Sequence, residues 1–361
     1  MGDDDTIRGG EPAGDGVTGD IVTGDGMTGG AGPGSIDAEV ASQPGCWLRA
    51  ADLVPGVAGL LPAPGERVAV TGCGTSWFIA QSYAALREAA GQGETDAFAA
   101  SEMPVRRRYD RVMVLSRSGT TTEILQLLDR LPGAVPTVAI TAGAQTPVAE
   151  AAAATIALDF ADEMSVVQTR FATTELALLR AHLGYDMTPV AAAAETALAE
   201  PLPAALTGAR QFTFLGTGWT CGLANEAALK LREAAGMWTE AYPAMEYRHG
   251  PISVTGPGSV VWLLGPAPDG LPAEVAAAGG LAWQSGRDPM AELVLVQRLA
   301  ATVARAHGLD PDRPRNLTRS VILTPTRGDT PPSRGQAPGP HGPESPDGPK
   351  ARSFVTGLGP R

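Results

Sequence analysis

One turn in this sequence has the residue types and spacing to bind an anion. The apolar run 111–115 stops at Ser116-Arg117-Ser118-Gly119-Thr120-Thr121, after which a helical pattern begins. At such a turn, free backbone N–H groups and the positive end of a helix dipole face outward, so phosphate is a suitable ligand. A serine or threonine that only caps the helix would produce the same pattern. The turn also lacks the lysine of a P-loop and the spaced glycines of a dinucleotide fingerprint, so both interpretations stay open here.

A second group of residues could move protons. One helical stretch places Glu226, Lys230 and Glu233 on one face, at positions i, i+4 and i+7. The spacing alone favours an exposed ladder of ion pairs, which contributes little to stability. The loop after this helix suggests more, because it is dense in polar and aromatic residues and holds His249 in a Gly-Pro turn, where a core histidine is unusual.

Alternating strand and helix patterns position these residues. Strands are predicted at 67–72, 111–115, 137–141 and 156–159. Helices are predicted at 36–53, with an interruption at Pro44, and at 77–90, 121–131, 146–154 and 166–183. The alternation predicts a parallel α/β sheet, whose ligands bind at the carboxyl ends of the strands. A second glycine and hydroxyl turn, Gly72-Cys73-Gly74-Thr75-Ser76, would lie at that same edge.

The sequence contains an internal repeat. Gly72-Cys73-Gly74-Thr75 recurs as Gly216-Thr217-Gly218-Trp219, an offset of 144 (216 minus 72), and Leu86-Arg87-Glu88 recurs as Leu231-Arg232-Glu233, an offset of 145 (231 minus 86). The repeat predicts two α/β units, a phosphate-binding unit at 35–190 and a shortened unit at 191–324 that has lost the hydroxyls of the first. Residues 1–34 and 325–361 are predicted to be a disordered leader and tail, because their composition offers little apolar surface to bury.

Composition excludes several classes of function. The formal charge of −12 argues against nucleic acid and anionic membranes as partners. Cys46, Cys73 and Cys221 are too scattered for a disulfide framework or a zinc site and fit a reducing compartment. Acidic residues stand where a signal peptide needs basic ones, and no apolar run has the length of a membrane span. We therefore expect a cytoplasmic protein without a metal or other cofactor.

Together these motifs resemble the SIS (sugar isomerase) family, and in particular the isomerase half of the glucosamine-6-phosphate synthases. The matching segments are 73–76, 116–121, 166–174, 226–233, 246–251 and 313–320. The resemblance implies an α/β fold with two SIS-type doubly wound units, each a parallel sheet flanked by helices. It also implies a homodimer that binds a small sugar phosphate.

The resemblance further implies a role for each matching residue. Glu233 matches the base that moves a proton between C1 and C2, and Lys230 matches its neighbour. His249 matches the residue that helps to open the sugar ring from a partner subunit, and Val166 would line the site by its backbone. The residues placed around the sugar phosphate are Thr75, Ser76, Ser116, Arg117, Ser118 and Thr121, with Arg117 standing where the family usually has glutamine.

One position departs from the family pattern. Arg319 occupies the place of the lysine that forms a Schiff base with the ketose, and a guanidinium stays protonated and cannot do so. A glutaminase half is not found in the sequence either. Glutamine-dependent synthesis is therefore not expected, and Arg319 is retained as a substrate-binding residue.

Four functions remain open at this point. The leading hypothesis is an enzyme that opens an amino-sugar or hexose 6-phosphate and abstracts its C2 proton, so that it isomerises the sugar with or without loss of ammonia. A dehydratase of N-acetylglucosamine 6-phosphate would use the same carbanion to eliminate the C3 hydroxyl. A hydrolase of a fructosamine-type phosphate adduct and a non-catalytic sugar-phosphate sensor are the other two.

Overall fold

The structure is a computed structural model that describes residues 35–323. The predicted disordered segments 1–34 and 325–361 lie outside the described residues. Within the described part, the chain begins with two helices, α1 (Ser35–Ala41) and α2 (Gln43–Val57). Pro44 stands in the first turn of α2, where its missing N–H costs no hydrogen bond, so it begins the second helix.

The first sheet has five parallel strands in the order β2-β1-β3-β4-β5. The strands are β1 (Val68–Gly72), β2 (Thr95–Ala99), β3 (Arg111–Ser116), β4 (Thr137–Thr141) and β5 (Ala154–Ala157). The helices that connect and follow them are α3 (Thr75–Ala89), α4 (Thr122–Arg130), α5 (Pro147–Ala151) and α6 (Arg170–His182).

The second sheet has four parallel strands in the order β7-β6-β8-β9. The strands are β6 (Gln211–Gly216), β7 (Thr239–Pro243), β8 (Ser259–Leu264) and β9 (Leu281–Gln284). The helices of this part are α7 (Thr188–Ala199), α8 (Ala204–Thr207), α9 (Thr220–Ala235), α10 (Leu271–Ala277) and α11 (Pro289–Ala306). Four short 3₁₀ turns complete the described elements, at Ala100–Glu102, Asp159–Ala161, Glu246–His249 and Pro251–Val254.

Both sheets are covered by helices on both faces because their strands are apolar on both sides. In β1, Val68 and Val70 join the core that both sheets share, while Ala69 joins a separate cluster under α4. In β6, Phe212 and Phe214 join the shared core, and Leu215 packs on the side of α10. The predicted α/β class, with parallel sheets flanked by helices, is confirmed.

The bounds of several elements differ from the predictions. Helix α6 begins at Arg170, four residues later than predicted, because the buried carboxylate of Glu163 accepts the N–H groups of Thr169 at 2.6 Å and Arg170 at 2.8 Å and so caps the helix there. The predicted unit boundary at residue 190 falls inside α7, so that boundary stays a prediction.

Candidate active site

The first strand ends in a tight turn that presents Thr75 and Ser76. A side chain at Gly72 would meet the backbone carbonyl carbon of Ser76 at 2.6 Å, and Gly74 has a φ of 53°, in the left-handed region that glycine adopts without strain. These two glycines allow α3 to begin directly after β1. Thr75 and Ser76 are buried in its first turn, and the N–H of Ser76 donates to the carbonyl of Cys73 at 3.1 Å.

The predicted phosphate turn lies next to it. Because β1 pairs in parallel with β3, the turns that follow the two strands meet at one edge of the sheet. Gly119 has a φ of 63° and approaches Thr146 so closely that a Cβ would lie 2.2 Å from its Oγ1. Inside the turn, Ser116 Oγ accepts the N–H of Gly119 and Ser118 Oγ accepts that of Thr120, each at 3.3 Å. The hydroxyls therefore first hold the turn itself.

The hydroxyl of Thr121 does not cap helix α4. Thr121 stands at the N-cap of α4, but its side chain forms no capping hydrogen bond, and its Oγ1 lies 3.4 Å from Ser118 Oγ. The first turn of α4 thus begins without a side-chain cap, beside a group of hydroxyls. This arrangement favours the anion-binding interpretation over the cap interpretation.

The last described segment of the chain crosses this turn. Ser320 Oγ accepts hydrogen bonds from Ser118 Oγ at 3.1 Å and from Thr120 Oγ1 at 2.9 Å. The backbone N–H of Thr122 also donates to the carbonyl of Val321 at 3.2 Å. A phosphate bound to these hydroxyls would compete with Ser320 for them.

Arg117 is buried and holds backbone groups together. Its guanidinium donates to the carbonyls of Ser165 at 2.9 Å, Val166 at 3.1 Å and Arg319 at 3.2 Å. Nη1 also lies 3.6 Å from Glu163 Oε2. Burial lowers the pKa of Arg117, against the opposing effect of Glu163. The structure thus brings Arg117, Val166 and Arg319 together, with the carbonyl of Val166 already occupied by Arg117.

The side chain of Arg319 is likewise engaged. Its guanidinium pairs with the carboxylate of Asp162 and donates to the carbonyl of Glu163, while remaining partly exposed. At the position where the resemblance places a nucleophilic lysine, this chain therefore has a cation paired with a neighbouring loop.

Lys230 is the centre of a buried ion cluster on α9. Its Nζ lies 2.6 Å from Glu233 Oε2 and 3.2 Å from Glu226 Oε1, and it donates to Thr75 Oγ1 at 3.0 Å. The side chains of Lys230 and Glu226 are 1% exposed and that of Glu233 is 20% exposed. The exposed ladder that the spacing alone favours is therefore wrong. Within the cluster, Glu233 is the carboxylate that a ligand could reach.

The surroundings within the cluster shift the pKa values of Glu226 and Lys230. Burial raises the pKa of Glu226 to about 7, Lys230 lowers it in part and Glu233 raises it further. Burial alone would lower the pKa of Lys230, but Glu226 and Glu233 outweigh this effect and raise it. Lys230 thus stays an ammonium ion near neutral pH, which suits an electrostatic partner of Glu233 better than a nucleophile.

Close helix packing brings this cluster to the first sheet. A Cβ at Gly222 would lie 2.3 Å from the carbonyl oxygen of Phe78, so α9 lies directly against α3. The two helices are also joined by a hydrogen bond of 2.9 Å from Asn225 Nδ2 to Gln81 Oε1. This contact carries Lys230, which belongs to the second sheet's helix, to the glycine turn of the first sheet.

His249 is not joined to this cluster. It ends the 3₁₀ turn Glu246–His249 beyond β7 and is exposed. Within residues 35–323, no hydrogen bond or ion pair links its side chain to Glu233 or Lys230. Its position is compatible with action on another subunit, as the resemblance implies, and its role stays a prediction.

The sequence grouped Glu226 with Lys230 and Glu233 without predicting its burial, and it assigned no role to Ser320 or Glu163. Glu226 had a signal, its spacing of four from Lys230, but its burial depends on the packing of α3. Ser320 had a weaker one, since it follows Arg319 in a matching segment. Glu163 had none, because its role depends on how its loop folds onto α6.

The part of the chain that the structure describes offers neither a metal site nor a membrane span. Between residues 35 and 323, no group of three or more histidine, cysteine or acidic side chains could hold a metal ion. No helix in that range is long and apolar enough to cross a membrane.

Comparison with known sequences identifies part of the chain. Residues 63–182 match the sequence profile of the SIS domain, so the expected resemblance is confirmed. A glutamine-fructose-6-phosphate aminotransferase of Sulfurisphaera tokodaii is 27% identical over 295 residues, which cover 72% of this chain and 50% of that protein. An enzyme of the same name from Bradyrhizobium diazoefficiens is 26% identical over 316 residues, covering 72% and 52%. The chain thus spans about half the length of these relatives.

Solved structures show the same fold. Glucosamine-6-phosphate deaminase of Thermotoga maritima aligns with a TM-score of 0.68 at 22% identity, over 80% of this chain and 100% of that one. The C-terminal domain of the Francisella tularensis glucosamine-fructose-6-phosphate aminotransferase gives 0.66 at 20% identity, over 81% and 100%. Tagatose-6-phosphate ketose/aldose isomerase of Escherichia coli gives 0.65 at 18% identity, over 81% and 96%. At these identities the likeness concerns the fold alone.

Proposed function

We propose that this chain, which carries an SIS domain over residues 63–182, is an enzyme that opens an amino-sugar or hexose 6-phosphate and abstracts its C2 proton. The observation that carries the proposal is the contact between Lys230 and Thr75. It brings a partly exposed carboxylate, Glu233, next to a strand-end turn whose backbone suits a phosphate. A base beside an anion site suits a substrate with a phosphate at one end and an acidic C–H at the other.

The two glycine turns would hold the phosphate. Ser76 and the hydroxyls of the 116–121 turn supply donors beside the first turns of α3 and α4, where the helix dipoles favour an anion. Ser320 would yield its hydrogen bonds with Ser118 and Thr120 to the phosphate. Arg117 and Val166 would shape the site through the hydrogen bond from the Arg117 guanidinium to the Val166 carbonyl.

Glu233 would be the base. In the open-chain sugar the C2 proton is acidic because the carbonyl stabilises the resulting carbanion as an enediolate. Glu233 takes this proton and returns it to C1, while one hydroxyl proton passes from O2 to O1, so an aldose becomes a ketose. The ammonium of Lys230 lies 2.6 Å from Glu233 Oε2 and places a positive charge beside this base.

His249 would assist ring opening from a second copy of the chain. Its exposure and its separation from the cluster within one chain support this assignment, and a homodimer is part of the proposal. The division into a phosphate-binding unit at 35–190 and a catalytic unit at 191–324 is proposed together with it. In the deaminating version, the same proton transfer turns the C2 amine into an imine, and water hydrolyses this imine to the ketose and ammonia.

A second outcome is dehydration of N-acetylglucosamine 6-phosphate. The arginine at position 319 allows it, since neither proton abstraction by Glu233 nor loss of the C3 hydroxyl requires a lysine imine. From an N-acylated substrate the carbanion can expel the C3 hydroxyl as water, since the acylated nitrogen leaves poorly. The two outcomes share the base and differ in the product.

Proton NMR in heavy water tests the proposal. Purified protein is incubated with glucosamine 6-phosphate or N-acetylglucosamine 6-phosphate, and the C2 proton signal is followed. We expect its loss with at least one sugar, and a rate lower by about 10²–10⁴-fold in Glu233→Gln, the range expected for removal of a general base. A ketose with ammonia, or an unsaturated sugar, identifies the reaction. Binding of both sugars without exchange would instead favour a non-catalytic sensor.

A further inference from the structure

A cavity opens beside the proposed base. It has a volume of about 550 Å³ and is lined by the end of α9, including Glu233, and by the segment 308–316. The continuation of that segment reaches the phosphate turn, where Ser320 contacts Ser118. Glu233 therefore belongs to two environments: through Lys230 it is joined to the phosphate turns, and it also lines this cavity.

Three arginines make the cavity basic. Arg313 and Arg315 are exposed, and within residues 35–323 their side chains form neither an ion pair nor a hydrogen bond. Arg232 makes a single hydrogen bond, to the carbonyl of Thr239 at 3.1 Å. The acidic residues of the lining are Glu233 and Asp310. Three weakly engaged arginines around one cavity suit an anionic ligand.

The matching arginine of the first sheet's helix shows what a structural role would require. Arg87 corresponds to Arg232 in the predicted repeat and is fully buried. Its guanidinium donates to the carbonyls of Ala63 at 2.7 Å and Glu66 at 2.9 Å, and to Thr95 Oγ1 at 2.8 Å. Arg232 is exposed and lacks such a set of bonds, so its charge remains available to a ligand.

The geometry restricts where the ligand's acidic group can be. This step rests on the proposed function, which places the sugar phosphate at the turns and C1 or C2 at Glu233. A substituent that points away from the phosphate then enters the cavity. Because ring opening needs a free anomeric hydroxyl, the acidic group is not on the anomeric oxygen, and an amino nitrogen at C1 or C2 is the attachment point next to Glu233.

We propose that the substrates are amino-sugar 6-phosphates whose nitrogen substituent bears a carboxylate, and that Arg313 and Arg315 bind this carboxylate. Arginine is suited to the task because its planar guanidinium can donate two parallel hydrogen bonds to a carboxylate. The exposure of the two side chains implies that the interaction weakens as salt is added.

Two probes that differ by one carboxylate test the proposal. N-succinylglucosamine 6-phosphate and N-acetylglucosamine 6-phosphate are titrated by calorimetry into full-length Glu233→Gln protein, in which turnover is suppressed. We expect the succinyl compound to bind about tenfold more tightly at low salt, as charge-assisted hydrogen bonds permit. Adding Arg313→Gln and Arg315→Gln should remove this preference and leave the affinity for the acetyl compound unchanged.

A matched control separates a specific site from general charge. Arg106→Gln with Arg108→Gln removes the same two charges from exposed arginines that lie before the amino end of β3, and should keep the preference. Equal binding of the two probes, or equal weakening of both by the Arg313 and Arg315 changes, would overturn the proposal. If the preference holds but the wild-type protein exchanges no C2 proton, the acid site stands and the catalytic proposal fails.

Discussion

The two sheets end in turns of the same backbone geometry that carry different side chains. In the first, a Cβ at Gly72 would meet the backbone of Ser76, and Gly74 has a φ of 53°. In the second, a Cβ at Gly216 would lie 2.3 Å from the carbonyl oxygen of Thr220, and Gly218 has a φ of 58°. Glycine at these two positions is what allows each helix to follow its strand so closely.

The hydroxyl in the first turn of each helix is engaged differently in the two sheets. Ser76 makes no side-chain hydrogen bond within residues 35–323, although it is buried. In the second turn, Thr220 Oγ1 accepts the N–H of Thr217 at 2.8 Å and donates to its carbonyl at 3.1 Å, so it is already used. The strand next to β6 is followed by Gly265 and Pro266, without a hydroxyl.

The helices after these turns also differ, and here the second sheet's helix carries the ionisable residues. Helix α9 carries the lysine and its two carboxylates, whereas α3 has no lysine among the matching positions. Counted from the Leu-Arg-Glu that both share, these positions are Gln81, Ala85 and Glu88 in α3 and Glu226, Lys230 and Glu233 in α9. The comparison teaches that a glycine turn and its chemistry are separable: one half keeps anion donors, and the other keeps an ionisable cluster.

Removing Lys230 should produce the largest effect, because Lys230 is the counter-charge of both carboxylates in the cluster. In Lys230→Met, Glu226 and Glu233 face each other without a counter-charge, so we expect a loss of about 3–5 kcal/mol of unfolding free energy. Urea unfolding measures it. The double variant Lys230→Met, Glu226→Gln should recover part of the loss because one buried carboxylate is gone. An unchanged urea midpoint in Lys230→Met would contradict the buried cluster.

The pH dependence of stability should show a smaller effect. The pKa of Glu226 is raised from its ordinary 4.5 to about 7, so the folded state binds this proton more tightly than the unfolded chain. Its contribution is therefore most favourable below pH 4.5 and is lost as the pH rises to 7, by up to about 3 kcal/mol. The unfolding free energy of Glu226→Gln, measured from pH 4.5 to 7, should fall less steeply than that of the wild type. Parallel curves would show that Glu226 titrates normally.

The sequence was sufficient to predict the parallel α/β class, four strands of the first sheet and the glycine turns. Buried parallel strands are apolar runs bounded by glycine, and β1, β3 and β4 were placed to within a residue or so for this reason. The start of α6 was misplaced because it is set by Glu163, whose carboxylate folds back from a loop. Capping by such a side chain leaves no periodic signal.

The chemistry of the site was less predictable than its position. The burial of Lys230 follows from the fit of Gly222 against the backbone of Phe78, a contact between segments far apart in the sequence. Similarly, Arg117 matches a phosphate-binding position, yet its guanidinium holds the carbonyls of Val166 and Arg319. Spacing along one helix or turn specifies which residues share a face, while the partner of that face depends on tertiary packing.

A pair of single-hydroxyl deletions should give the smallest effects and separates the two turns most directly. Ser76→Ala removes a hydroxyl that forms no bond within the described residues 35–323, so it should leave the urea midpoint nearly unchanged and raise the Kd for glucosamine 6-phosphate about fivefold. Thr220→Ala removes the two bonds to Thr217, so it should cost about 1 kcal/mol of unfolding free energy and leave that Kd unchanged. Calorimetry and urea unfolding on both variants measure the two quantities. If Thr220→Ala weakened sugar-phosphate binding as much as Ser76→Ala does, the second turn would also bind phosphate, and the division between the two halves would be wrong.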